Sequence, residues 1–213
     1  MPEANSTNGL RRGESHVKAM AAAIPGSVLE ATWQTEDQVT VDVPTEKLPE
    51  CVEFMYYNRG GWIPDMVVND ERHLNGYFRL YYLMSMEEED KCYLTVRTKV
   101  DPITREFPSV TPRVPACVWS EREAYDMMGL KAAGLPDARR LVLPDDWPDG
   151  LHPLLKDSMD YRHRPEPAVD VENYEFLDES GVEDPTEIPM GPLHITSDEP
   201  GHFRLFCEGE NIV

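Results

Sequence analysis

Between Trp119 and Asp157 the chain reads WSEREAYDMMGLKAAGLPDARRLVLPDDWPDGLHPLLKD, and every other segment is placed by its relation to this one. Ser120 is expected to cap a short helix starting at Glu121, with Glu123 three residues on at capping-box spacing. Acidic residues in that first turn suit the positive end of the helix dipole. Ala124, Met127 and Met128 fall on one helical face with Tyr125 at its edge, and Gly129 supplies a stop. A Gly/Pro-punctuated turn with the pair Arg139 and Arg140 follows, then a second turn, H-P-L-L-K-D, ending in Lys156 and Asp157.

Upstream, Val17, Met20, Ala21 and Ile24 recur at helical spacing before Pro25-Gly26, which predicts a helix over 14–24. Residues 28–33 and 38–43 alternate and are rich in β-formers, so they read as a hairpin across the polar turn 34–37. Pro49 opens a second helix carrying Val52, Phe54, Met55 and Tyr56. Three more strands are expected at 62–69, 76–86 and 91–100. Tyr77, Phe78, Leu80, Tyr81, Tyr82 and Leu83 make the middle one apolar on both faces, so it reads as a central strand. Glu87 to Asp90 reads as a solvated turn, and the Pro-rich stretch 101–115 as an irregular crossing.

The expected fold class is therefore α+β. It is a two-layer sandwich in the order α-β-β-α-β-β-β, followed by the signature helix and a long extended C-terminal arm. The expected domains are a disordered N-terminus (1–13), the α+β domain (14–157), an acidic Pro-rich arm (158–189) and the start of a β-hairpin (190–213). The arm has no sustained period and buries too little to offset a chain entropy of about 1–2 kcal/mol per residue, so it needs a neighbouring surface.

A net charge of −20 and a pI near 4.6 argue against nucleic acid or an anionic membrane surface as partner and favour a basic protein. Hydrophobic content of 40% supports one core, while 19 prolines and a mean hydropathy of −0.51 leave much of the chain outside it. Cys51, Cys92, Cys117 and Cys207 stand far apart without a C-x-x-C pair and read as free thiols in a reducing compartment. No apolar run is long enough for direct membrane insertion, and no signal-peptide pattern opens the chain.

The run EREAYDMMGL followed by GLPDARRLVL resembles the signature of the thirty-kilodalton subunit family of respiratory complex I and of the group 4 [NiFe] hydrogenases, including formate hydrogenlyase. The continuation LPDDWPDGLHPLLKD is more similar to the hydrogenase branch. Leu135 stands where the family usually has His, and Leu155 where it has a basic residue. Gly191-Pro192-Leu193-His194 and the run from Gly201 to Glu210 resemble the opening β-hairpin of the large catalytic subunit, which formate hydrogenlyase-type proteins fuse to the region before it. The resemblance implies a chain without its own cofactor, whose partners are the large subunit and the iron–sulfur small subunit, carrying NiFe and iron–sulfur clusters. It also implies a place in the cytoplasm, peripheral to the inner face of the cell membrane.

Glu121, Arg122, Glu123 and Asp126 read as a helix start with an ion-pair network rather than an acid pair with a clamp, since no nucleophile or ligand set accompanies them. Arg139 and Arg140 lack a Gly-rich phosphate loop and read as an interface to a partner's carboxylates, with Lys156 and Asp157 alongside. His194 and His202 read as hairpin or interface residues ahead of proton or electron chemistry, and Ile195 replaces a proline that quinone-reducing relatives have. Three functions follow. One is a non-catalytic structural or assembly part of a [NiFe] hydrogenase complex. The second is the equivalent component of an NADH:quinone oxidoreductase, complex I. The third is a free-standing acidic enzyme using Glu121, Glu123 and Asp126.

Overall fold

Alternation of apolar and polar residues decides which face of the sheet is buried. In the computed structural model, which describes residues 11–160, 162–163, 165–166, 186–191, 201 and 203–212, the chain divides into two compact units, 1–168 and 169–213. Residues 1–10, most of the acidic arm, His194 and His202 lie outside the described residues.

The first unit runs α1 (Glu14–Ala23), β1 (Glu30–Thr35), β2 (Gln38–Asp42), α2 (Leu48–Glu53), β3 (Gly61–Asp70), α3 (Arg72–Asn75), β4 (Phe78–Met86), β5 (Cys92–Val100), β6 (Glu106–Pro108), α4 (Val118–Met128) and β7 (Lys131–Ala133). Five strands form one sheet in the order β1-β2-β5-β4-β3, antiparallel except where β2 meets β5. The register aligns Val41, Val96, Tyr82 and Met66 across one face, with Val39, Leu94 and Met84 in the next row. α1 adds Val17 and Met20 to this core, α2 adds Leu48, Cys51 and Val52, and a π-helical turn over Phe54–Asn58 adds Met55. The other face is polar: Arg79 and Arg97 both pair with Asp42, and Tyr81 donates to Glu71 at 2.8 Å.

The structure adds the short α3 and the pair β6–β7 to the expected elements, and it moves the centre of the sheet. β5, not β4, is central, and the outward residues of β4, Arg79, Tyr81 and Leu83, are only half-buried. On its open side β4 presents half-buried Tyr81 and Leu83 beside Arg79, so its run of apolar residues does not mean burial on both sides. The 101–115 crossing contains β6, which pairs parallel with β7 beyond α4. At the N-terminus, residues 11–13 are held in place, since Arg12 N–H donates to Glu36 O at 2.9 Å and Trp33 Nε1–H donates to Arg12 O at 2.8 Å.

The acidic turn after β4 does more than face water. Ser15 N–H and Oγ–H both donate to Asp90 at 3.1 and 2.7 Å, so a carboxylate from the hairpin caps the start of α1. Buried His16 accepts from Arg59 Nε at 3.1 Å through Nδ1 and is within 2.8 Å of Glu89 O through Nε2. Since a guanidinium only donates, the imidazole proton sits on Nε2.

The second unit holds β8 (Thr186–Met190), β9 (Phe203–Glu208) and β10 (Asn211–Ile212) as an antiparallel sheet in the order β10-β9-β8. β8 starts inside the stretch read as arm, and Arg204 on β9 forks onto Glu187, its diagonal neighbour on β8, at 2.7 and 2.9 Å. Gly209, at φ +65°, supplies the left-handed residue between β9 and β10.

Candidate functional site

The signature helix begins earlier than its capping residues suggest. A 3₁₀ turn over Pro115–Cys117 leads straight into α4 at Val118, so Ser120 lies in the first turn and caps nothing. The frame shift decides which side chains point inward. The buried residues of α4 are Glu121, Ala124 and Asp126, while Met127 and Met128 are half-buried and Glu123 is exposed.

Glu121 is fully buried and accepts four hydrogen bonds: Tyr82 Oη at 2.9 Å and Val110 N at 2.6 Å on one oxygen, Ser109 Oγ at 2.5 Å and Thr111 Oγ1 at 2.7 Å on the other. An ionised carboxylate has room for about four such donors, so this one is saturated. It pins the Ser109–Thr111 crossing to the sheet and helix. Burial first, and the Glu121 charge second, hold the Tyr82 hydroxyl well above its ordinary range, so Tyr82 remains a donor.

Asp126, also buried, accepts from the consecutive N–H groups of Leu141, Val142 and Leu143 at 2.8, 2.9 and 3.2 Å. Arg122 completes the hold on that loop by donating to Arg139 O at 2.8 Å and Arg140 O at 2.6 Å. Two side chains one helical turn apart therefore shape residues 139–143 through backbone atoms alone. The loop's own charged side chains turn away: Arg139, 84% exposed, pairs with Asp137 at 2.8 Å, and Arg140 pairs with Asp149 at 2.6 Å.

Gly129, at φ +70°, ends α4, with its N–H donating to Tyr125 O at 2.9 Å. His152 sits where a side chain would be, since a Cβ on Gly129 would lie 2.6 Å from its Cδ2. The imidazole Nδ1–H caps the Asp126 carbonyl at 3.0 Å. The same H-P-L-L-K-D turn reaches the β3–β4 corner, where Lys156 donates to Asp70 O at 2.9 Å and Asp157 accepts from Arg72 at 2.6 and 3.2 Å. Leu155 is 4% exposed and part of the core. Leu135 packs against that core at its edge.

Arg72 also forks onto Asp70, and this hydrogen bonding holds the buried carboxyl at about 2, below its ordinary 3.8. A depressed carboxyl contributes stability that is complete above its ordinary value and is lost as pH falls toward the folded value. Urea unfolding between pH 4 and pH 2 is therefore expected to show about 2 kcal/mol more loss in the native chain than in Asp70→Asn. Parallel curves for the two would remove the assignment.

The eight signature residues in the described region thus separate by location. Glu121, Arg122, Asp126, Lys156 and Asp157 bind other parts of the same unit, whereas Glu123 and Arg139 face solvent and Arg140 is partly covered. The carboxylates of Glu121, Glu123 and Asp126 do not converge: one faces the Ser109–Thr111 crossing, one faces water and one faces the Leu141–Leu143 loop. That divergence denies an acid–base pair to the free-standing enzyme reading. Burial pushes the Cys51 and Cys117 thiols up to about 12 and Cys92 to about 11, and no group of three or more potential metal-ligating side chains occurs among the described residues. No helix among the described residues is long and apolar enough to cross a membrane.

Residues 41–163 match the family described as the respiratory-chain NADH dehydrogenase 30 kDa subunit. The chain belongs to this family. The match spans the sheet from β2 onward, α4 and both turns that follow it. Among the relatives of this NADH dehydrogenase-family chain, formate hydrogenlyase subunit 5 of Escherichia coli (strain K12) is 59% identical over 201 residues, 94% of this chain and 35% of that protein. Hydrogenase-4 component G of the same organism is 56% identical over 209 residues, 98% of this chain and 38% of that protein. The NADH-quinone oxidoreductase C/D protein of Methylococcus capsulatus (strain ATCC 33009 / NCIMB 11132 / Bath) is 33% identical over 173 residues, 70% of this chain and 29% of that protein. The chain spans little more than a third of the length of the two hydrogenase relatives. The fold is also similar to a chain in the structure of the membrane-bound sulfane sulfur reductase, an archaeal respiratory membrane complex, with a TM-score of 0.58, 23% identity, and coverage of 76% of this chain and 99% of that one.

Sequence reasoning missed Tyr82, Ser109 and Thr111 around Glu121, and Asp70, Arg72 and His152 around the last turn. One signal was present: a Tyr on the core-facing side of a strand needs an acceptor for its hydroxyl, and a buried acceptor must come from elsewhere in the chain.

Proposed function

We propose that this chain is a non-catalytic docking and assembly part of a membrane-associated, energy-converting [NiFe] hydrogenase complex of formate hydrogenlyase type. The observation that carries the reading is the degree of likeness: 59% and 56% identity to two hydrogenase proteins over nearly the whole chain, against 33% over 70% for the quinone oxidoreductase relative. The geometry supports it, because Asp126 and Arg122 fix the 139–143 backbone while leaving the Arg139 guanidinium outside. A surface ordered before it meets its partner loses less entropy on docking. In this reading Arg139, Arg140 and Glu123 meet the large catalytic region and the iron–sulfur small subunit, and the nickel, iron and clusters are held by those partners.

Arg139→Glu in the full-length protein tests this. Because the side chain is exposed and, among the described residues, paired only with Asp137, the melting temperature of the first unit should move by no more than about 2 °C. Recovery of the other hydrogenase subunits with the tagged variant should fall at least tenfold, with hydrogen evolution falling in step. Full assembly and activity in the variant would refute the docking role.

A further inference from the structure

Edge strand β3 and helix α4 leave a groove of about 170 Å³, floored by Met66, Val68, Ala124, Met127, Met128 and Leu154. Among the described residues β3 pairs only with β4, so its other edge is unpaired within the sheet. Pro64 and the bulge between Trp62 and Asp65 interrupt the first half of that edge, which leaves Met66–Asp70 as its regular part. Methionine side chains are pliable and suit a floor that must accept a foreign side chain.

The rim supplies charge. Asp65 and Glu123 line the groove, and neither has a cationic partner among the described residues. Asp65 accepts from Met66 N at 2.7 Å and Ser120 Oγ at 3.5 Å, both neutral donors. Asp137, Asp149 and Asp157, by contrast, are each matched with an arginine. Two unmatched carboxylates over an apolar floor complement a side chain with an aliphatic stem and a cationic head.

We infer that this groove receives an extended segment of a partner protein, carrying Arg or Lys next to an apolar residue and laid along β3. The inference rests on the docking role above and names the surface and the chemistry of its occupant. The stem of the basic residue lies over Met66 and Met127, its head meets Asp65 and Glu123, and the segment's backbone meets the outer edge of β3 at Val68, between the Met66 N–H taken by Asp65 and the Asp70 carbonyl taken by Lys156.

The test places a photo-crosslinking amino acid at Val67, which lines the groove and is 41% exposed, in the full-length protein within its assembled complex, with a parallel probe at Arg139. The expected product links Val67 to another polypeptide at a peptide holding Arg or Lys beside an apolar residue. Glu123→Lys combined with Asp65→Asn should cut that product at least tenfold, and Glu123→Gln should cut it less. Crosslinking from Arg139 but not Val67, or from Val67 only to this chain or a second copy, overturns the groove assignment and leaves the docking role standing. Crosslinking to a partner from neither position overturns both.

Discussion

Glu121→Ala is expected to lower the melting temperature of the first unit by about 10 °C or more. The substitution removes the common acceptor of Tyr82, Ser109, Val110 and Thr111, all within 2.9 Å of it. Each buried donor left without a partner costs about 1–3 kcal/mol. Even with partial relaxation the sum reaches about 4 kcal/mol, a large share of the roughly 5–15 kcal/mol that holds a domain together. At about 2–4 °C per kcal/mol for a chain of this size, the shift is easily read by circular dichroism. Glu121→Gln should recover much of this loss, because its amide oxygen still accepts from Tyr82 and Val110 while its nitrogen donates to the Ser109 and Thr111 hydroxyls, which accept as well as donate. A melting temperature within about 2 °C of the native chain for Glu121→Ala would show that the four donors find other partners. Were Glu121 instead a reacting group, its loss would remove activity and leave the fold intact.

Asp126→Ala is expected to act locally. Three consecutive N–H groups, Leu141 to Leu143, lose their shared acceptor, and Arg122 alone then holds the loop from its other end. Amide exchange at those three positions should accelerate at least tenfold, while the β4 and β5 amides keep their protection. The melting temperature should fall by less than in Glu121→Ala, because the loop lies outside the sheet core and its freed N–H groups can reach water. Partner recovery should fall with loop order, linking a buried carboxylate to docking through a segment it shapes but does not belong to. Unchanged exchange at Leu141–Leu143 would mean that Arg122 suffices.

The two variants also divide what was legible in the chain from what was not. Period-2 alternation in 28–33, 38–43 and 91–100 and the Gly/Pro stops placed the strands and helices, because side-chain burial in those elements is governed by neighbours two to four residues away. The same reading put β4 in the sheet's centre. Apolar residues on both sides of a strand do not distinguish a covered face from an aromatic one open to solvent. The capping-box pattern at Ser120 and Glu123 failed for a related reason. The helix had already started from a 3₁₀ turn, so the pattern lay inside it, and the carboxylate between those two residues turned inward.

By itself the sequence determined the α+β class, the positions of the principal elements and membership of the NADH dehydrogenase subunit family, since each follows from local periodicity or a continuous run of residues. Tertiary structure alone decided that Glu121 and Asp126 are interior anchors, that Lys156 and Asp157 clamp the β3–β4 corner, and that Glu123 and Arg139 are left facing outward. A charged side chain carries no mark of its own burial. Its role is set by donors supplied from distant parts of the chain, Tyr82 and Ser109 for one and Leu141 for the other, and those meet it only once the sheet and helix have packed.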